Sequence, residues 1–427
     1  MSNHLDRLFL HHALSLAARG LGRTMPNPSV GCVLVKDGAV LAATRTADGG
    51  RPHAETQALA MAGDAARGST AYVTLEPCAH HGQTPPCAEA LIAAGVARVL
   101  IGCMDSDPRV SGRGVAMLEA AGITVEKMLL PEAAALNRGF FRRIAQGLPH
   151  VACKLATSLD GLMTDATGAS QWITGAVARA HGNGLRAKYD AILTGIGTVL
   201  TDDPAMTSRA PNPSHAHLIR VVADRQLRLP LHSKLVKSAN QQPVWVITSA
   251  ESVELAASHA TELREAGVKF LVVENGEAGR IPPPLRGRLG GGRDGTQALP
   301  TEILLHAESL PHSAPLQPSP YGGGGAPSTT ADASLSPEVI LRALAAEGIT
   351  RLLIEAGPAL STAFLAANTV ETLHWYRAPI LLGNAGKAAV GVLDSTLPDA
   401  ARLTLAEKRA LGGDVYERYE SNACSPV

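Results

Sequence analysis

His53, Cys78 and Cys87, with a glutamate two places after the first of them, constrain this chain more than any other feature. They stand in Pro52-His53-Ala54-Glu55, Glu76-Pro77-Cys78 and Pro85-Pro86-Cys87, and the fold has to bring them to one point. One imidazole and two thiolates are the ligand set of a catalytic zinc ion, which takes three protein ligands and keeps a position for water. The thiolates balance the metal's double charge, and such a site still lowers the pKa of its water towards neutrality. On a helix start, Glu55 can aim its carboxylate at that water without binding the metal, as a general acid and base must. Read singly, the histidine is a surface residue and the cysteines are small buried hydrophobes. Both halves in the right order, each with its proline, favour the metal. A purely structural zinc usually closes all four positions with Cys or His, which would leave Glu55 without a task.

The spacing is close to H-x-E followed by P-C-x-x-C, the signature of zinc nucleobase deaminases. In this chain the cysteines are further apart, and the loop His80-His81-Gly82-Gln83-Thr84-Pro85-Pro86 lies between them.

At 427 residues the chain is too long for one ordinary domain of about 150 residues, so two or three are expected. Lys plus Arg and Asp plus Glu both number 38, which gives no overall basic field for nucleic acid. Aromatic residues make up 3% of the chain, too few for base-stacking platforms, so the partner is expected to be a small molecule. Met1 to Gly20 lacks a continuous apolar stretch and predicts an amphipathic helix, not a signal peptide. No run approaches the roughly 18 apolar residues of a membrane span. Six cysteines in so long a chain make no disulfide framework, which fits a reducing cytoplasm.

Taken in order, the pattern predicts a helix over 5–18, a hairpin of strands 30–35 and 40–44, then helix 54–66, strand 71–75, helix 88–94 and strand 96–102. This alternation predicts helices packed on a sheet and sets the ligands at helix starts or the loops before them. Helix 114–121, a short strand at 123–125 and one helix over 132–144 complete a first domain that ends near residue 149. A second sheet begins at 151–157, followed by the turn Ser158-Leu159-Asp160-Gly161. Strand 191–194 runs into Gly195-Ile196-Gly197 and Thr198 to Pro204, a ligand cradle at a strand's C-terminal edge. Later strands fall at 218–223, 244–248, 270–273 and 351–355. The last leads through Gly357-Pro358 into a helix over 359–366, whose N–H groups could receive phosphate. Residues 275–336 turn to Gly, Pro and Ser and read as a disordered insertion, with a short strand possible at 302–306. Residues 421–427 read as a frayed tail.

These residues resemble the bifunctional riboflavin-biosynthesis deaminase/reductase family. The likeness is carried by His53-Ala54-Glu55, Leu75 to Cys87, Leu159-Asp160-Gly161, Ser170-Gln171-Trp172-Ile173-Thr174 and Thr198 to Pro204. It implies an α/β chain, with a cytidine-deaminase-like three-layer domain at 1–149 followed by a dihydrofolate-reductase-like domain at 150–420. It further implies two reactions on one pyrimidine ribotide: zinc-dependent loss of the 2-amino group, then NADPH reduction of the ribosyl unit to ribityl. Glu55 would move the protons and Asn27 would orient the base. Ala156, Trp172, Thr198, Asp202 and the segment Gly357, Pro358, Ala359, Leu360, Ser361, Thr362 and Ala363 would line the NADPH site. Ser170, Arg186, Met206, Arg209 and Glu355 would hold substrate. One zinc per chain and a homo-oligomer are expected.

The residues by themselves leave other readings open. Arg186 and Arg209 could be phosphate ligands or solvated charges, and a lone Trp172 is more often core. Two positions depart from the family pattern. Thr46 stands where a histidine is usual and Gln83 where a Lys or Arg is usual, which predicts weaker substrate binding in the deaminase half. A nucleic-acid deaminase would share the metal motif but lacks support from charge. A free-nucleoside deaminase would leave the second half unexplained. A zinc-stabilised binding protein with dead sites would not need an intact Glu55.

Overall fold

The computed structural model describes residues 3–81, 85–106, 111–169, 172–208, 217–273, 335–396 and 399–421. Ser170, Arg209 and Gln83 lie outside the described residues, as do almost all of the Gly/Pro/Ser-rich stretch with its possible strand and all of the tail beyond Ser421.

The first sheet is built from β1 (Gly31–Lys36), β2 (Ala39–Arg45), β3 (Thr70–Val73), β4 (Arg98–Ile101) and β5 (Thr124–Lys127) in the order β2-β1-β3-β4-β5. β1 is antiparallel to both neighbours, and β3, β4 and β5 run parallel. Five successive residues of β1 are buried. Side chains alternate between faces along a strand, so unbroken burial means that both faces are covered. The cover comes from α1 (Asn3–Ala18) and α2 (Ala54–Ala62), which both pack on β1, and α4 (Arg113–Ala120), which packs on β5; α3 (Cys87–Ala93) lies between α2 and α4, α5 (Pro131–Leu136) against α1, and α6 (Arg138–Gln146) against α5 and the second sheet.

The single helix expected over 132–144 is two. Asn137 breaks it, because its buried amide pairs with the backbone of Ser29 in both directions. Oδ1 accepts from Ser29 N at 2.9 Å and Nδ2 donates to Ser29 O at 3.1 Å. Tertiary pairing overrides the local helical pattern there.

The second sheet has nine strands in the order β10-β9-β8-β7-β11-β6-β12-β14-β13. In chain order its elements are β6 (His150–Thr157), α7 (Ala176–Arg186), β7 (Ala191–Gly195), α8 (Ile196–Asp202), β8 (Ile219–Ala223), α9 (Lys234–Lys237), β9 (Val244–Ser249), α10 (Ala250–Leu255), α11 (Ala257–Glu265) and β10 (Val268–Val273). After the gap come α12 (Pro337–Ala346), β11 (Arg351–Ile354), α13 (Pro358–Ala366), β12 (Thr372–Arg377), β13 (Leu403–Leu411) and β14 (Asp414–Ser421). From β10 across to β12 the strands are parallel, and the hairpin β13–β14 closes the sheet antiparallel. Alternate residues of β7 feed separate cores, Leu193 on one face and Ile192 on the other.

Two expectations change in this half. The stretch after Gly195 is not a glycine-rich loop: the strand passes directly into α8. Asp202 therefore ends that helix, about 9 Å along its axis from Ile196, and does not stand beside the glycines. The strands β12, β13 and β14 have no counterpart in the sequence reading.

Candidate active site

His53 is the N-cap of α2, Cys87 opens α3 and Cys78 lies in the loop after β3. The fold brings the three together. His53 Nδ1 is 3.3 Å from Cys87 Sγ and 3.7 Å from Cys78 Sγ, and all three ligand atoms lie within 4.8 Å of one another. Tetrahedral zinc, with bonds of about 2.0–2.1 Å to nitrogen and about 2.3 Å to sulfur, sets N and S about 3.5 Å apart, so the triad fits the ion. The thiols fit it as well. Cys78 is pulled down to about 4 by its hydrogen bond with Cys87, helped by His53 and the Cys87 N–H, whereas that same contact and burial push Cys87 up. Two thiolates at this separation require a cation between them.

Glu55 follows in the first turn of α2 and is 3% exposed. Burial, with the charge of Cys78 beside it, pushes its carboxyl up to about 7. The Cys78 segment is held from behind by Glu76, whose carboxylate accepts N–H bonds from Gly112 and Gly114, both at 3.1 Å, and from Val115 at 3.3 Å. This ties the start of α4 to the metal loop.

A cavity of about 200 Å³ opens over these groups, lined among others by Asn27, Thr46, Arg51, Phe140, Arg143 and Ile144. Asn27 Nδ2 donates to Gly50 O at 2.9 Å, and Oδ1 has no protein donor among the described residues. Gly50 has φ +84, and a β-carbon there would lie 2.7 Å from Asn27 Nδ2, so this contact needs glycine. Thr46 is structural: its hydroxyl accepts from Val30 N at 2.9 Å and is 3.2 Å from Pro28 O.

In the second sheet, β7, β11 and β6 are neighbours, and their C-terminal ends gather the remaining candidates. Thr198 on α8 and Gly357 at the start of α13 come together, and a β-carbon added at Gly357 would lie only 3.6 Å from Thr198 Oγ1. Glu355, just past β11, binds Arg186 at the end of α7 through both oxygens, at 2.7 and 2.8 Å, and Arg186 Nη1 donates to Thr207 O. Lys154 Nζ is 3.8 Å from the same carboxylate. Burial works to raise Glu355, but the Arg186 and Lys154 charges prevail and hold it down to about 2. Ala156 is on the same face of β6 as Lys154. Met206 is buried in the core, and Trp172 is 69% exposed, stacked on the Arg179 guanidinium at 4.4 Å, which removes the core reading.

Residues 149–277 and 320–416 match the family described as RibD C-terminal domain, and residues 3–103 match the cytidine and deoxycytidylate deaminase zinc-binding region. Along 425 residues the chain is 37% identical to the riboflavin biosynthesis protein RibD of Escherichia coli (strain K12), covering 96% of this chain and 98% of that one. The chain belongs to the RibD family. A second RibD relative, from Bacillus amyloliquefaciens, is 33% identical over 414 residues, covering 96% and 95%. Among solved structures, Acinetobacter baumannii RibD superimposes with a TM-score of 0.76 at 34% identity, covering 98% of this chain and 99% of that one. The Thermotoga maritima diaminohydroxyphosphoribosylaminopyrimidine deaminase/5-amino-6-(5-phosphoribosylamino)uracil reductase gives 0.74 at 28% identity, with the same coverage.

As a RibD-family chain, it is a bifunctional enzyme of riboflavin biosynthesis, a deaminase and a reductase that act on a small pyrimidine. Its cytidine-deaminase-like part and its reductase part imply zinc and a nicotinamide cofactor. Among the described residues no helix is long and apolar enough to cross a membrane. Sequence reasoning on this RibD-family chain missed Lys154, although a lysine inside the otherwise apolar run 151–156 is a signal. It also missed the α6 wall of the cavity over Glu55, for which no local signal exists.

Proposed function

We propose that residues 1–149 form the zinc-dependent deaminase and residues 150–420 the NADPH-dependent reductase, acting in turn on one ribotide. The first step is hydrolytic loss of the 2-amino group of 2,5-diamino-6-ribosylamino-4(3H)-pyrimidinone 5′-phosphate. The second reduces the ribosyl group of 5-amino-6-(5-phosphoribosylamino)uracil to ribityl. The observation that carries the reading is the convergence of His53, Cys78 and Cys87 beside the buried carboxylate of Glu55.

When bound, zinc would supply a Lewis acid that eases deprotonation of water. His53 Nδ1 and the sulfurs of Cys78 and Cys87 would hold it. Glu55 takes the proton from water on a carboxylate oxygen and returns it to the ring nitrogen, then passes the second proton to the departing amine, so that ammonia leaves neutral. Asn27 Oδ1 accepts from the base and fixes its orientation.

In the reductase, bound NADPH would supply the hydride. The first turn of α13 has backbone N–H groups without intrahelical acceptors, suited to a phosphate, and Thr198, Ala156, Trp172 and Asp202 would border an extended dinucleotide. Glu355, locked to Arg186 and near Lys154, would orient the ribosyl unit, with Ser170 and Arg209 completing the substrate set; Met206, packed in the core, would support them from behind and not touch substrate. A cytoplasmic homo-oligomer is expected, and sizing chromatography tests the assembly. The decisive assay supplies the diaminopyrimidine ribotide and NADPH together and records ammonia and cofactor oxidation. Failure to release ammonia with zinc bound overturns the deaminase assignment.

A further inference from the structure

α6 sets Phe140, Arg143 and Ile144, at i, i+3 and i+4, on the wall of the cavity that holds Glu55. Three arginines on this helix have different surroundings. Arg138 pairs with Glu420 at 2.8 Å and Arg142 with Glu371 at 2.5 Å, so carboxylates of the reductase half neutralise both. Arg143 has no such partner. Its Nε donates to Ala345 O at 2.7 Å, and among the described residues neither Nη1 nor Nη2 has a protein acceptor.

Arg143 is half-buried, and burial works against its charge. The Asp190 charge offsets this only in part and from a distance, since no carboxylate contacts the guanidinium among the described residues, and a planar guanidinium with two open Nη groups matches the oxygens of a phosphate. Of the other polar groups on the cavity wall, Thr46 is committed to backbone, Glu76 to backbone N–H groups and His53 with Cys78 to the proposed metal set, while Asn27, Arg51, His80 and Asp105 complete the lining.

We propose that Arg143 receives the 5′-phosphate of the ribotide in the deamination step, so that a helix seated against the reductase selects the phosphorylated substrate. This assignment rests on the deaminase reading given above. Nε fixes the guanidinium from the reductase side, and Nη1 and Nη2 meet the ligand.

The test measures ammonia release from the diaminopyrimidine ribotide and from its dephosphorylated riboside. In the zinc-loaded full chain, Arg143→Ala should lower the preference for the ribotide, as a ratio of kcat/KM values, by about 10- to 100-fold, mainly through KM. Arg143→Lys should restore part of it, because a point charge remains. Arg143→Gln can keep a hydrogen bond to Ala345 and should lose the preference like alanine, which separates anchoring from charge. A ratio equal to that of the unchanged protein in both neutral variants, or equal losses on the two substrates, overturns the assignment and leaves Arg143 an interface residue. If the unchanged protein deaminates neither compound, the deaminase reading itself falls.

Discussion

Arg186 holds Glu355 by both carboxylate oxygens, at 2.7 and 2.8 Å, where the end of α7 meets the C-terminal end of β11. Both side chains are largely buried, so truncating Glu355 strips Arg186 of its ion pair, whereas truncating Arg186 leaves Glu355 only the more distant Lys154 at 3.8 Å.

Glu355→Ala should cost about 3–5 kcal/mol, and Arg186→Ala less, because Lys154 still faces the carboxylate. The apolar double variant Arg186→Met, Glu355→Leu should recover most of that in denaturant titrations while NADPH oxidation stays lost. If reduction returns along with stability, the pair is only structural.

Two buried imidazoles give the second half a pH limit. Burial, with the charge of Arg418, lowers His374 from 6.5 to about 3, and burial lowers His150 to about 4 despite its bond to Glu371. The unfolded chain binds these protons and the folded one does not. Their stabilisation is therefore complete above about pH 6.5 and declines as pH falls towards 4. Glu355, held near 2 when folded against an ordinary 4.5, contributes above pH 4.5 and is lost below it. Urea midpoints at pH 7.5 and 5.0 should differ clearly. His374→Gln should start lower and show a shallower slope; an unaltered slope contradicts the prediction.

Metal analysis should find one zinc per chain, and a Cys78→Ser, Cys87→Ser variant should lose it. Glu55→Gln should keep the metal and slow ammonia release by about 10² to 10⁴. Reduction of the already deaminated compound should continue in that variant. Were it to stop with the fold intact by circular dichroism, two separate sites could not be maintained.

Trp172→Ala separates a cofactor wall from a core residue. With 69% of its surface exposed, its loss should change stability by under about 1 kcal/mol, where a buried Trp would cost about 3–5. KM for NADPH should rise, and NADPH should quench the fluorescence of the unsubstituted protein more than that of the variant. A large drop in melting temperature would count against the assignment.

The convergence of His53, Cys78 and Cys87 is legible in sequence because few residue types ligate zinc and their spacing is restricted. Strands such as Val244–Ser249 are legible because burial on both faces leaves an apolar run at 244–247. Asn137 is not, since nothing local shows that its amide meets Ser29 more than a hundred positions earlier. β13 escapes notice for the opposite reason: it is exposed along most of its length and its Glu-Lys-Arg centre reads as a solvated loop, although β14 pairs with it on both sides of a bulge at Ala406. The α6 contribution to the deaminase cavity is likewise tertiary.

Gly139 brings α6 to the backbone just ahead of β11, where an added β-carbon would fall 2.2 Å from Thr350 O. This seat, with the Arg138–Glu420 and Arg142–Glu371 pairs on the same helix, predicts that the peptide link at 147–149 is not needed for cohesion. A chain nicked there by a protease should still elute from a sizing column as a single particle and come apart only in denaturant. The two enzymes would then be joined less by a tether than by a seat, and moving the fusion point along the gene would matter less than keeping position 139 free of a side chain.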